Sequence, residues 1–195
     1  MRKCGSMKKL IVGISGASGA LYGIRLLEML RELPVESHLV MSRAARRTIA
    51  EETDFSIDYV RALADTYYPP DDIGAAIASG SFRTMGMIIA PCSVKTMGEI
   101  ANSIAGNLMS RAADVTLKER RKLVLMLRET PLHLGHLRQM TAVTEAGGIV
   151  MPPVPAFYAR PETLDEMVTH TVGRALDVVG LDHDLIQRWG GEDED

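Results

Sequence analysis

The chain has 195 residues, a formal net charge of −3 and 46% hydrophobic residues, which suits one well-buried core and is short for two full domains. That charge argues against a nucleic-acid-binding surface, whose affinity rests on clustered Lys and Arg. The sequence holds no apolar run long enough to span a bilayer, and MRKCGSM lacks the apolar segment of a signal peptide. With Cys4 and Cys92 far apart, the expected location is the reducing cytoplasm.

In chain order, residues 1–6 read as a flexible leader, with Met7 a candidate start. The apolar run Leu10 to Ile14 reads as a buried parallel strand. It breaks into the loop GISGASG, where a helix begins with its backbone N–H groups and positive dipole end facing an anion, here expected to be a ligand phosphate. Gly13, Gly16 and Gly19, with Ser15 and Ser18 between them, match neither G-x-G-x-x-G nor a P-loop. An NAD-binding fold usually places an acid at the end of the second strand, where this chain has Ser42 followed by Arg43. A mononucleotide such as FMN fits better than NAD; a tight turn without any ligand is the alternative.

Helical spacing through Leu21, Ile24, Leu27 and Leu30 is closed by Pro34. A strand over Glu36 to Met41 and a helix over Ala44 to Glu52 follow. Residues 54–81 are harder to read: a helix around Ile57 to Ala64, a YYPPDD loop and another short helix. GMIIAPCS repeats the strand-to-turn pattern, with Pro91 expected to stop the strand. KLVLML and GGIV repeat it again, separated by helices at Leu108 to Lys118 and Leu137 to Ala146, and a last helix covers Thr163 to Val179. GGEDED reads as a disordered tail. Strands alternating with helices imply an α/β, three-layer, Rossmann-like fold with a mostly parallel sheet. Gly16 to Ser18, Ser42, Pro91 to Lys95, Arg128 with Glu129, and Pro152 to Pro155 all follow strand ends, where such sheets bind ligands.

Arg128 and Glu129 follow a buried strand directly, where charge is either functional or paired. A guanidinium there can hold phosphate and a carboxylate can serve as acid or base; a structural Arg–Glu pair is the other reading. Ser93 and Thr96 open a helix, as caps or as ligand contacts. Cys92 reads as a packed thiol. His133 and His136 lack the companions of a metal site, so no metal is expected. LKERRK, taken alone, reads as a solvated face.

The blocks GISGASGALYG, VMSRAARRTIAEETDFS, SGSFRTMGMIIAPCSVKT, RAADVTLKERRKLVLMLRETPLHLGHLRQM and MPPVPAFYARPETLDE resemble the UbiX-like flavin prenyltransferase family from Met7 to Trp189. The resemblance implies a single FMN-binding flavoprotein domain over 7–189, assembled as a dodecamer. The implied activity joins a dimethylallyl group from dimethylallyl monophosphate to N5 and C6 of reduced FMN, making prenylated FMN for UbiD-type decarboxylases. It assigns Gly16, Ala17, Ser18, Ser42, Ser93, Val94, Lys95, Thr96 and Arg128 to FMN. It assigns Lys118, Tyr158 and Arg174 to the prenyl phosphate, with Arg111 and Trp189 completing the pocket across subunits. Glu52 and Glu129 become the carboxylates of the reaction centre. Lys118 thereby leaves the solvated-face reading, which Arg120, Arg121 and Lys122 keep. Two rivals are a cysteine-type flavin decarboxylase, which would need a catalytic His where TIAEETDFS supplies acids, and a flavin carrier serving a partner decarboxylase.

Overall fold

The computed structural model describes residues 7–188; Cys4, the 1–6 leader, Trp189 and the 190–195 tail lie outside them. Six strands form one sheet in the order β3-β2-β1-β4-β5-β6: β1 Lys8–Ile14, β2 Val35–Met41, β3 Thr66–Tyr68, β4 Gly86–Cys92, β5 Lys122–Leu127 and β6 Ile149–Val150. Every pairing is parallel, so the expected "mostly parallel" sheet is wholly parallel among the described residues. The strand order reverses between β1 and β4. That switch point sets where the connecting loops part, and hence where a cleft opens.

Successive residues on the central strands feed opposite faces, as strand geometry requires. Leu10, Val12 and Ile14 of β1 join Ile88, Ala90, Val124 and Met126 in one apolar layer. It is covered by α1 Ala20–Leu30, α2 Arg43–Glu52, α3 Ile57–Ala62 and α7 Leu164–Val179. Ile11, Met87, Ile89, Leu123, Leu125 and Leu127 face the other way, under α4 Val94–Ala101, α5 Leu108–Lys118 and α6 Leu134–Glu145.

Three expectations need correction. Pro91 does not stop β4, which continues to Cys92; the pairing with β5 shifts register between Ile89 and Cys92 instead, which accommodates a residue that cannot donate to the ladder. Tyr67 and Tyr68, read as part of the YYPPDD loop, instead form edge strand β3 with Thr66, with His38, Leu39 and Val40 opposite Thr66, Tyr67 and Tyr68. The short helix expected beyond it is a single 3₁₀ turn at Ala76–Ala78.

Helix α1 lies so close to the sheet that a Cβ on Gly23 would sit 2.3 Å from the Ala90 carbonyl oxygen and 2.7 Å from Ile14 Cγ1. The backbone oxygen cannot yield as a flexible side chain would. Gly23→Ala is therefore expected to destabilise the fold by about 1–3 kcal/mol through overpacking, read as a lowered thermal midpoint of the purified protein.

Candidate functional site

The site is built on a buried tie. Ser15, fully buried at the end of β1, donates its hydroxyl to the Pro91 carbonyl at 2.8 Å and accepts from the Ser93 backbone N–H at 2.7 Å. The fold uses this hydroxyl to lock the ends of β1 and β4 together. Beyond the tie the two loops diverge. Gly16 passes so near α2 that a Cβ there would lie 2.3 Å from Ala44 Cβ, so the close approach at this glycine is to the protein's own helix.

The start of α1 carries a further correction. Gly19 takes a left-handed conformation (φ 94°) and offers no side-chain cap, a conformation glycine adopts without Cβ strain. Its N–H and that of Ala20 are instead accepted by Glu52 Oε2, at 2.7 and 3.1 Å. The anion at this helix terminus is thus a carboxylate from the end of α2, with no external phosphate needed at these two amides. Burial raises the Glu52 pKa, but the Ser18 hydroxyl, the two amides and the Arg128 charge together outweigh it, leaving the group below its ordinary value. It is a fixed carboxylate, better suited to anchoring charge than to taking a proton.

The ends of β1, β2, β4 and β5 enclose a cleft of about 670 Å³, within the range of small-molecule sites. Every residue assigned to FMN lines it: Gly16, Ala17, Ser18, Ser42, Ser93, Val94, Lys95, Thr96 and Arg128, together with Glu129. Ser42 and Ser93 also act as helix caps, accepting from the Ala45 and Thr96 amides at 3.0 and 3.2 Å. Arg128 donates its backbone N–H to the Cys92 carbonyl, while its exposed side chain places charge beside both Glu52 and Tyr22. Glu129 is exposed and accepts from the Thr130 amide at 3.0 Å. Buried Cys92 has its thiol pKa pushed far up by desolvation, the state of a packed thiol.

Several lining residues escaped the sequence reading. Arg43 pairs with Asp71 of the YYPPDD loop at 2.7 Å. Glu99 accepts from Lys95 at 2.6 Å and from Asn107 at 2.9 Å, linking the starts of α4 and α5. Ser42-Arg43 and the Asp pair were visible as letters, but nothing local in the sequence says that they face each other.

The residues assigned to the prenyl phosphate lie elsewhere in this chain and line no part of that cleft. Lys118 ends α5 and pairs with Glu119 at 2.6 Å; it is about 15 Å from the start of that helix, which faces the cleft. Arg111 pairs with Asp114 at 2.9 Å. The Tyr158 hydroxyl lies 3.2 Å from His170 Nε2, and Arg174 pairs with Asp177 at 2.6 Å. Arg121 of LKERRK donates to the carbonyls of Phe82 and Gly80 at 2.8 and 2.7 Å, a structural tie and not a solvated charge. His133 and His136 stack at 3.7 Å, and His133 Nδ1 caps α6 by accepting from Gly135 N–H. Among the described residues no group of three or more His, Cys, Asp or Glu is placed to hold a metal, and no helix is long and apolar enough to cross a membrane.

Comparison with known proteins places this cleft in context. A family model described as Flavoprotein matches residues 2–176. The chain is 60% identical over 186 residues to the flavin prenyltransferase UbiX of Thauera aromatica, covering 95% of this chain and 96% of the relative. The chain belongs to the flavin prenyltransferase family of flavoproteins. Among solved structures, AnUbiX in complex with FMN and dimethylallyl pyrophosphate superposes with a TM-score of 0.93 at 49% identity, covering 95% and 98% of the two chains. A dodecameric FMN-dependent UbiX-like decarboxylase from Escherichia coli O157:H7 gives 0.91 at 54% identity, covering 94% and 100%.

The Glu52 contacts make stability depend on pH with a definite sign. A carboxylate whose folded-state pKa lies below its ordinary value of 4.5 contributes stability that is complete above that value and is lost as pH falls through the folded-state pKa. The thermal-midpoint gap between parent and Glu52→Gln should therefore be constant from about pH 7 to 5.5 and shrink below pH 4.5; thermal melts across that range check it.

Proposed function

We propose that this protein is a flavin prenyltransferase that binds reduced FMN in the cleft at the β1/β4 switch point and transfers to it a dimethylallyl group from dimethylallyl monophosphate. The observation that carries the reading is the single cleft into which every residue assigned to FMN projects. The cleft fits that group chemically. Ala17, Val94 and Met109 supply apolar wall, Ser18 and Thr96 supply hydroxyls, and Arg43, Lys95 and Arg128 supply positive charge. Bound there, reduced FMN would supply nitrogen N5 and ring carbon C6 as the two new bonding partners of the dimethylallyl group, in place of its C–O bond to the departing phosphate and of its alkene π bond; the protons leaving N5 and C6 would pass to a base, and the alkene carbon would gain one.

The chain's own part is to hold, orient and handle protons. Arg128 can contact an anion in the cleft while compensating Glu52 across the loop, so one guanidinium serves both flavin binding and the leaving phosphate. Glu129, exposed at the rim, is the better candidate base, because Glu52 is already committed to two amides. Lys118, Tyr158, Arg174, Arg111 and Trp189 are proposed to complete the donor site from neighbouring copies in a homo-oligomer, on the pattern of the dodecameric relative. AnUbiX is seen with the pyrophosphate ester; the monophosphate is our proposed donor here, since a small set of cations serves one phosphate without a metal. A cytoplasmic site of action, with the product passing to a UbiD-type decarboxylase, completes the reading.

The test is to incubate pure protein with reduced FMN and either phosphate ester, then to weigh the released flavin. A flavin heavier by one C₅H₈ unit is expected with the monophosphate; unmodified flavin with both esters overturns the reading. Activity should survive EDTA. Ser18→Tyr should abolish flavin retention by filling the loop, whereas Glu129→Gln should keep FMN and slow prenylation about 100-fold or more, as measured by single-turnover kinetics.

A further inference from the structure

One face of α7 joins several of these groups. His170, Arg174 and Asp177 are spaced i, i+4 and i+7, so they share a side of the helix. The segment after α7 folds back onto that side: Ile186 packs so closely that a Cβ on Gly173 would lie 2.4 Å from its Cγ2. His183 Nε2 reaches the Gly173 carbonyl at 2.9 Å, and His170 Nε2 reaches the Gln187 carbonyl at 3.1 Å. Asp177 is the hub of this fold-back. Its Oδ2 accepts from Arg174 NH1 at 2.6 Å, its Oδ1 from Arg188 NH2 at 2.8 Å, and His183 Nε2 stands 3.2 Å from Oδ1.

An exposed arginine on its own samples many rotamers, and fixing it on binding costs side-chain entropy. A carboxylate that is itself held from a second direction removes part of that cost in advance. Asp177 is held in this way: Arg188, besides donating to it, donates to the His183 carbonyl at 2.6 Å, and the His183 side chain is fully buried. Arg174, by contrast, keeps about half of its side chain exposed. A guanidinium gripped at one NH group still presents its remaining N–H donors outward. Burial favours the protonated acid, but the donations from Arg188 and Arg174 outweigh it and keep Asp177 ionised.

We infer that Asp177 is a positioning residue for the prenyl donor, holding the Arg174 guanidinium in a fixed orientation through a carboxylate that is braced by Arg188 and His183. The inference rests on the proposed role of Arg174 in binding the donor phosphate. It adds a residue that itself touches neither donor nor flavin, and gives the 183–188 segment a function as a brace.

The test uses the assembled protein carrying oxidised FMN, which cannot turn over, titrated with dimethylallyl monophosphate and followed by calorimetry. Asp177→Asn should weaken donor binding about three- to tenfold, less than the roughly 10- to 150-fold loss of a charge-assisted contact to the phosphate itself, with FMN affinity and assembly size unchanged. Arg174→Ala should weaken binding at least as much, and the double variant should bind no more weakly than Arg174→Ala alone, since the two act as a unit. Should Asp177→Asn not assemble, Arg188→Ala loosens the same carboxylate from its other side and should weaken donor binding in the same direction. Parental donor affinity in the Asp177 or Arg188 variant, with weak binding in Arg174→Ala, overturns the positioning role and leaves the Arg174 assignment standing. An Asp177 penalty that persists in the Arg174→Ala background also overturns it. Parental affinity in Arg174→Ala overturns both.

Discussion

At the switch point, the ends of β1 and β4 are joined by one buried hydroxyl. Ser15 reaches the Pro91 carbonyl with both its backbone N–H and its side chain, and receives the Ser93 amide in return. In the core each of these groups would otherwise be an unsatisfied polar atom, which costs about 1–3 kcal/mol. The tie therefore fixes where the β1–α1 and β4–α4 loops diverge, and with it the two walls of the cleft. Those loops can then be short and rigid, as a site that must orient two small substrates requires.

Downstream of that tie, the helix termini around the cleft are satisfied in different ways. Helices α2 and α4 are capped by their own Ser42 and Ser93 hydroxyls, and α5 by a capping box between Asn107 and Ser110. Helix α1 has no such side chain at its start, and Glu52 arrives from 33 residues away to fill the gap. Because Glu52 is also close enough to Arg128 to feel its charge, the termini of α1, α2 and β5 are electrically coupled.

Much of this was legible in the sequence where a local rule decides structure. The β1 run, the span of α5 and the placing of Ser42, Ser93 and Arg128 after strand ends follow from period, capping chemistry and the strand-end rule. Most of the misses share a physical cause, a partner remote in sequence. Thr66–Tyr68 is half-buried and next to two prolines, and becomes a strand only by pairing along β2. Pro91 remains inside β4 because β5 tolerates a register shift opposite it. Helix α6 begins at Leu134, earlier than its apolar spacing suggests, because an imidazole supplies the cap that Ser, Thr, Asp or Asn usually gives. The Glu52 cap and the Arg43–Asp71 pair have no local signature at all.

The residues proposed to bind the donor do not line the cleft of their own chain. Helix α5 points its capped start at the cleft and its Lys118 end away from it, and a rigid helix cannot bend that lysine back. Tyr158 and Arg174 are held on the α7 side, against His170 and Asp177. On the proposed function, a single chain then holds the flavin half of the reaction site complete and presents the donor half outward, on two different surfaces. On that proposal other copies close the site, and assembly adds the charge of Lys118 and Arg174 to what Arg43, Lys95 and Arg128 already place in the cleft. Cations that already rest on Glu119 and Asp177 can wait on those surfaces without an unpaired charge until the neighbour's cleft supplies a phosphate to share them.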